Sequence, residues 1–216
     1  MPVSFTFHPN KETSLGVWKI DEALEQLQSL TRLSEEEKKV YDSFLNVNRR
    51  KQWLAYRALL SDMLGHKFLN IHYDANGKPY ISNSRNHISV SHAGDYAAAI
   101  YNPVQPVGID IEKISPRIEK ISCKFLNEEE LSCLQGGYEL AQLYLYWGAK
   151  EAIYKLHGKK NLDFRKNIQI EAFQPETEGA FNGSLKLSDT TKKYRFHYKL
   201  FSNYCLVYVF GQLKNA

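Results

Sequence analysis

The chain has 216 residues, of which 43% are hydrophobic, 24% charged and 13% aromatic, and its 28 basic and 24 acidic residues leave a net charge of +4. That length buries one large core or two small ones, in a composition ordinary for a soluble globular protein rich in sheet-forming aromatics. The positive surplus suits anionic ligands or an acidic partner and is too small to announce a nucleic-acid binder.

"VSFTFH", residues 3–8, alternates as a strand does. A charged helix is predicted over residues 34–41, with Ser34 as cap and Glu37 three places on. A longer helix follows over residues 48–65, where Trp53, Tyr56, Leu60 and Met63 share one stripe and Gly65 ends it. Asn76-Gly77 is a turn signal, and "HISVSHAGDYAAAIY" reads as two strands joined at residues 92–95. "NPVQP", residues 102–106, interrupts both helix and strand and is the expected internal boundary, dividing the chain into residues 1–105 and 106–216. "PVGIDIEKI" is a strand. Asn127 and Glu130 mark a helix start, a long helix runs from about Glu139 to His157 with Gly158 closing it, and the tail forms a hairpin at Ser202-Asn203. The fold class is α+β, with two mixed halves and no direct sequence repeat between them.

The amino terminus carries no basic-then-apolar leader, and the apolar run "YCLVYVF" is too short to span a bilayer, so a cytoplasmic location is expected. Cys123, Cys133 and Cys205 have no metal-ligand spacing and are expected as buried free thiols. "GKKNLDFRK", residues 158–166, is a basic run whose common meaning is a solvated loop.

The strand holds the chemistry. Val107, Ile109 and Ile111 take one face and leave Gly108, Asp110 and Glu112 on the other, where two like charges repel unless a counter-charge is near. On the long helix, Leu140, Leu143, Tyr144 and Trp147 trace an inward stripe that continues through Glu151 to Tyr154. A carboxylate on an apolar stripe needs a partner, although Glu151 with Lys155 is also the i,i+4 pair of an exposed helix. Together Asp110, Glu112 and Glu151 form an all-oxygen ligand set of the kind Mg²⁺ takes when substrate phosphates complete its shell. Gly108 is open to two readings, close approach of a pyrophosphate or sheet packing.

"VGIDIE" and "WGAKEAIYK", preceded by "GKPY" and "SVSHAG", resemble in order and separation the motifs of the 4′-phosphopantetheinyl transferase superfamily, in its long, surfactin-synthetase-activating type. The motifs span residues 50–160. The resemblance implies a pseudodimer of two similar α+β halves with coenzyme A between them. It also implies transfer of the phosphopantetheine arm to a serine of an apo acyl or peptidyl carrier protein, with adenosine 3′,5′-bisphosphate released. By motif position, Asp110, Glu112 and Glu151 are the Mg²⁺ ligands; a base must also take the hydroxyl proton, and Glu151 is expected in that role, directly or through a metal-bound water. Arg50, Arg57, Lys78, Pro79, Ser91, His92, Lys150 and Lys155 are the coenzyme contacts. An internal pseudodimer makes a monomer sufficient, and neither nucleic acid nor membrane is expected as a partner. Ser89 and Ala93 depart from the family pattern around the Ser-His pair.

Two other readings share part of this pattern. A Mg²⁺-dependent nuclease with an acidic-x-Lys strand needs the lysine two places after the acid, whereas Lys113 directly follows Glu112. A non-catalytic carrier-binding module derived from the transferase has no need of the full set of Asp110, Glu112, Glu151 and Lys155.

Overall fold

Antiparallel pairing accounts for every strand neighbour in the two sheets of this protein. The structure is a computed structural model that describes residues 3–66, 68–82, 84–134 and 140–211. It divides into two compact units, Met1–Val104 and Gln105–Ala216.

The first unit opens with strands β1 (Val3–Phe7) and β2 (Ser14–Lys19) and helices α1 (Leu24–Ser29), α2 (Glu35–Ser43) and α3 (Val47–Met63). It closes with β3 (Ile71–Tyr73), β4 (Pro79–Ile81), β5 (His87–Ala93) and β6 (Tyr96–Asn102), in a sheet ordered β1-β2-β6-β5-β4-β3. α2 starts as its sequence dictates: the Ser34 side chain accepts from the Glu37 amide, and the Glu37 carboxylate accepts from the Ser34 amide, satisfying two end donors at once. α3 is capped by Asn46 and ends before Gly65, whose φ of 65° suits the residue that leaves a helix. Trp53, Leu54, Leu59 and Leu60 of α3 form the core with Trp18 and Leu27. β2 and α1 are additions to the predicted elements. β2 is buried from Ser14 to Trp18, so no polar face produces the alternation that marks a half-exposed strand.

The second unit begins with β7 (Val107–Lys113), a 3-10 turn (Pro116–Ile121), and helices α4 (Ser122–Phe125), α5 (Glu128–Cys133), α6 (Leu140–His157) and α7 (Phe164–Asn167). β8 (Ile168–Ile170), β9 (Glu178–Lys186), β10 (Thr191–Phe201) and β11 (Tyr204–Phe210) complete a sheet ordered β7-β11-β10-β9-β8. Asn127 and Glu130 form the expected reciprocal cap of α5, and Gly158 ends α6 with φ 70°. The expected start of that helix, Glu139, lies outside the described residues. The β10–β11 hairpin turns through Ser202 and Asn203 with φ of 44° and 64°, the left-handed pair that a two-residue turn of this twist needs. The basic run leads into α7, capped by Asp163, whose Oδ1 accepts from the amides of Arg165 and Lys166. Only Cys205 is buried; Cys123 and Cys133 are exposed, because they sit on the outer sides of the short helices α4 and α5.

Without β1, the first sheet reads β2-β6-β5-β4-β3, the same path as β7-β11-β10-β9-β8. Each unit is therefore an α+β layer with one long helix packed on an antiparallel sheet. No described helix is long and apolar enough to cross a membrane.

Candidate active site

The long helix α6 lies directly against the carboxylate-bearing face of β7. A Cβ added at Gly108 falls 1.9 Å from the carbonyl oxygen of Ala152 and 3.0 Å from the amide nitrogen of Leu156, so this glycine exists to let helix and strand backbones touch. That decides its role as packing. Asp110 is next on the same face. Its Oδ1 accepts from Lys155 Nζ at 2.7 Å, and the same ammonium donates to the Ile109 carbonyl at 3.0 Å. Its Oδ2 lies 3.7 Å from where a Cβ on Gly148 would sit, so a second glycine clears room for the carboxylate. Glu112, one pleat further, accepts from the indole Nε1 of Trp147 at 3.1 Å.

Glu151 completes the set from the helix. Of the stripe predicted to point inward, Leu143 and Tyr144 are buried in the core, while its continuation through Trp147, Glu151 and Tyr154 is the more open side of α6. Trp147, Glu151 and Tyr154 are half-buried, while Lys150, Ala152 and Ile153 are buried. The correction has a simple cause: α6 is enclosed on most of its circumference, so its apolar residues do not mark one face. Burial, then the charge of Asp110, pushes the Glu112 carboxyl up to about 7. The same two causes, in the same order, raise that of Glu151, and the Glu151 charge also acts on Glu112. Three acids thus share one neighbourhood with Lys155.

Among the described residues no three His, Cys, Asp or Glu side chains already converge at metal-binding distance. The donor chemistry nonetheless fits a hard dication. All three donors are carboxylates, their mutual repulsion disfavours ionisation, and a single lysine does not offset three negative charges. Lys155 holds the place beside Asp110 where further positive charge is wanted.

Residues 106–209 match the family model described as the 4′-phosphopantetheinyl transferase superfamily. The chain is 30% identical to the 4′-phosphopantetheinyl transferase Sfp of Bacillus subtilis (strain 168), over 59% of this chain and 66% of that protein. It is 33% identical to the 4′-phosphopantetheinyl transferase gsp of Aneurinibacillus migulanus, over 60% of this chain and 57% of that one. The second unit, which holds the matched residues, belongs to the 4′-phosphopantetheinyl transferase superfamily. The chain spans less than two thirds of the length of these relatives. The superfamily match contains β7 and α6, hence Asp110, Glu112, Glu151 and Lys155. Arg50, Arg57, Lys78 and His92 lie outside it.

Two residues expected as coenzyme contacts are buried within the protein. Lys150 is fully buried, and its Nζ donates to Glu130 Oε2 at 2.6 Å and to the carbonyls of Phe125, Phe164 and Ile168 at 2.8–2.9 Å. Four acceptors around three protons leave this ammonium nothing to offer a phosphate. Its neighbour Glu151 faces the open side because adjacent helix positions point about 100° apart. Arg57 is 3% exposed, pairs with Glu37 through Nε at 3.2 Å, donates to the Tyr56 hydroxyl, and stacks its guanidinium 3.2 Å above the Trp53 ring. Both are structural cations, and the expectation of coenzyme contact is corrected for each.

The other expected contacts occupy the first unit. Arg50 ties the end of α2 to α3, donating to the Phe44 carbonyl at 2.7 Å and lying over the Tyr41 ring. Lys78 and Pro79 leave the Asp74–Gly77 turn, where Asp74 Oδ1 accepts the amides of Asn76 and Lys78. Burial lowers the Lys78 pKa, and burial followed by the Lys78 charge lowers that of His87. Ser91 is buried and His92 half-buried; as consecutive residues of β5 they point to opposite faces. Trp147 and Glu130 were not among the predicted site residues. Trp147 lies one turn before Glu151, and Glu130 was visible only as a helix cap, because one carboxylate serves both the cap and the Lys150 pair.

Proposed function

We propose that this chain transfers the 4′-phosphopantetheine arm of coenzyme A to a serine of an apo acyl or peptidyl carrier protein, with Mg²⁺ as cofactor, releasing adenosine 3′,5′-bisphosphate. The observation that carries the reading is the crowding of Asp110, Glu112 and Glu151 around one lysine on the matched part of the chain. Superfamily membership and relatives named 4′-phosphopantetheinyl transferases support the reaction class.

In this reaction the serine Oγ forms a bond to the β-phosphorus while the bond from that phosphorus to the bridging oxygen breaks, and the hydroxyl proton passes to a base. Alignment and charge neutralisation dominate such transfers. Asp110, Glu112 and Glu151 are the ligands for the dication, which when bound neutralises charge on the pyrophosphate. Glu151 is the base, directly or through a metal-bound water, because its half-buried side chain lies on the more open side of α6 next to the other two acids. Lys155, the cation of the site and partly exposed, is suited to a phosphate oxygen. Arg50, Lys78, Pro79, Ser91 and His92 remain the coenzyme contacts proposed for the first unit.

The test is the intact mass of an apo carrier protein incubated with this protein, Mg²⁺ and coenzyme A. The expected product is the carrier heavier by one phosphopantetheine, and only when metal and coenzyme are both present. A carrier of unchanged mass across acyl and peptidyl types overturns the reading.

A further inference from the structure

Trp147 donates its indole N–H to Glu112 Oε1 at 3.1 Å, across 35 residues of chain. The ring itself is held by two short helices. Phe125 of α4 meets it edge-on with centroids 5.2 Å apart, and Phe164 of α7 meets it at 5.7 Å. Phe164 also contacts the Tyr154 ring at 5.7 Å, so it touches both aromatic residues that flank Glu151 on the more open side of α6. Packing alone does not ask for this hydrogen bond, since the N–H of a half-buried indole can be satisfied by water. The first unit supplies a control. Three residues before its buried cation stands Leu54, and four past its glycine stands Ile20. The indole donor and its carboxylate acceptor therefore occur together in one unit, and aliphatic groups replace both in the other.

We propose, resting on the transferase reading, that Trp147 is a positioning residue: its indole N–H orients the Glu112 carboxylate as a cation ligand, and Phe125 and Phe164 orient the indole. The indole carries one N–H and engages one carboxylate oxygen, so the bond fixes the group without using up its second oxygen. A glutamate turning freely about its side-chain bonds must be ordered when it grips a cation. A rigid ring bonded to it does that ordering in advance, as the hydrogen-bonded partners of metal-ligating carboxylates do. The bond also favours the charged group, offsetting part of the repulsion that Asp110 and Glu151 impose on Glu112. The action of Trp147 on a cation passes through Glu112. Through Trp147, α4 and α7 support the acid cluster, although neither helix contributes a carboxylate to it.

The experiment reads Mn²⁺ binding, without coenzyme A, from the electron paramagnetic resonance signal of the free ion. It compares the native protein, Trp147→Phe, Glu112→Gln and the double variant. Trp147→Phe keeps a ring for Phe125 and Phe164 and loses the N–H, and it should weaken Mn²⁺ binding about tenfold or more, the scale for a ligand's hydrogen-bonded partner. In the Glu112→Gln background the same substitution should change the affinity by less than about twofold, because the carboxylate it acts through is already gone. An equal loss in both backgrounds, or none in the native background, makes Trp147 a packing residue and overturns the proposal. A second reading depends on no variant's fold: the indole N–H resonances of Trp18, Trp53 and Trp147 during Mg²⁺ titration of the native protein. The Trp147 resonance should shift; three unmoved resonances while Mg²⁺ binds overturn the proposal and leave the metal site standing. Absence of Mn²⁺ binding by the native protein, with or without coenzyme A, removes the metal site itself and this role of Trp147 with it.

Discussion

The two units solve one packing problem with the same parts and differ where chemistry is needed. In each, a short helix carries a capping glutamate at its third position, Glu37 in α2 and Glu130 in α5. In each, that glutamate pairs with a buried cation 20 residues later on the long helix, Arg57 or Lys150. Each glutamate also accepts the amide of the strand that follows, Ile71 in β3 and Ile170 in β8. A glycine lies beneath each long helix, Gly16 and Gly108, against positions two and six past the cation. Two residues past these glycines stand Trp18 and Asp110; four past stand Ile20 and Glu112; one past the cations stand Ala58 and Glu151. The shared residues hold the scaffold. The acids present in one unit and replaced by apolar groups in the other are the candidates for chemistry, and this contrast is why Lys150 belongs with Arg57 rather than with Lys155.

The largest expected effects test that sorting. Lys150→Met and Arg57→Met each strand a buried glutamate, so each should lose about 3–5 kcal/mol in urea unfolding. If Lys150→Met unfolds at the native urea concentration but loses coenzyme affinity, Lys150 belongs to the ligand and the parallel breaks. Glu151→Gln should lower the rate of carrier labelling by about 10²-fold, the scale of a lost charge-stabilising group, with its unfolding midpoint close to native. A large fall in stability with full activity would instead class Glu151 with the scaffold.

Smaller effects sharpen the comparison at the two glycines. Alanine at position 108 drives a methyl into backbone, 1.9 Å from the Ala152 oxygen, whereas at position 16 it meets the ends of Leu59 and Met63 at 2.8 Å. Overpacking of this kind costs about 1–3 kcal/mol, so Gly108→Ala should fall at or above the top of that range and Gly16→Ala near its bottom. Equal losses in denaturant titration would mean that α6 can ride up as easily as α3 side chains can move. The smallest effect concerns pH. His197 stacks on Tyr208 and Phe210, and burial, then the Arg195 charge, depresses its pKa. A depressed pKa means the unfolded chain takes up the proton first, so stability is lost as pH falls below about 6.5. His197→Phe should lessen that loss by under about 1 kcal/mol, the group being partly solvated; an unchanged pH profile of the melting temperature would remove His197 from the account.

The residues themselves announced much of this. Caps, glycine stops and turn pairs located α2, α3, α5 and the turns of the β3–β4, β5–β6 and β10–β11 hairpins, because those signals act within three or four residues of chain. β2 and the inner side of α6 stayed hidden, since elements enclosed on several sides lose the periodicity that reveals a face.

The linear chain determined the identities of Asp110, Glu112, Glu151 and Lys155 and the ordered motifs around them, which are properties of side-chain chemistry and spacing. Only the tertiary structure decided which cations are structural, which side of α6 is open, and that Lys155 rests on Asp110. Burial and pairing depend on neighbours 20 to 46 residues away, a distance at which local sequence carries no information on contact.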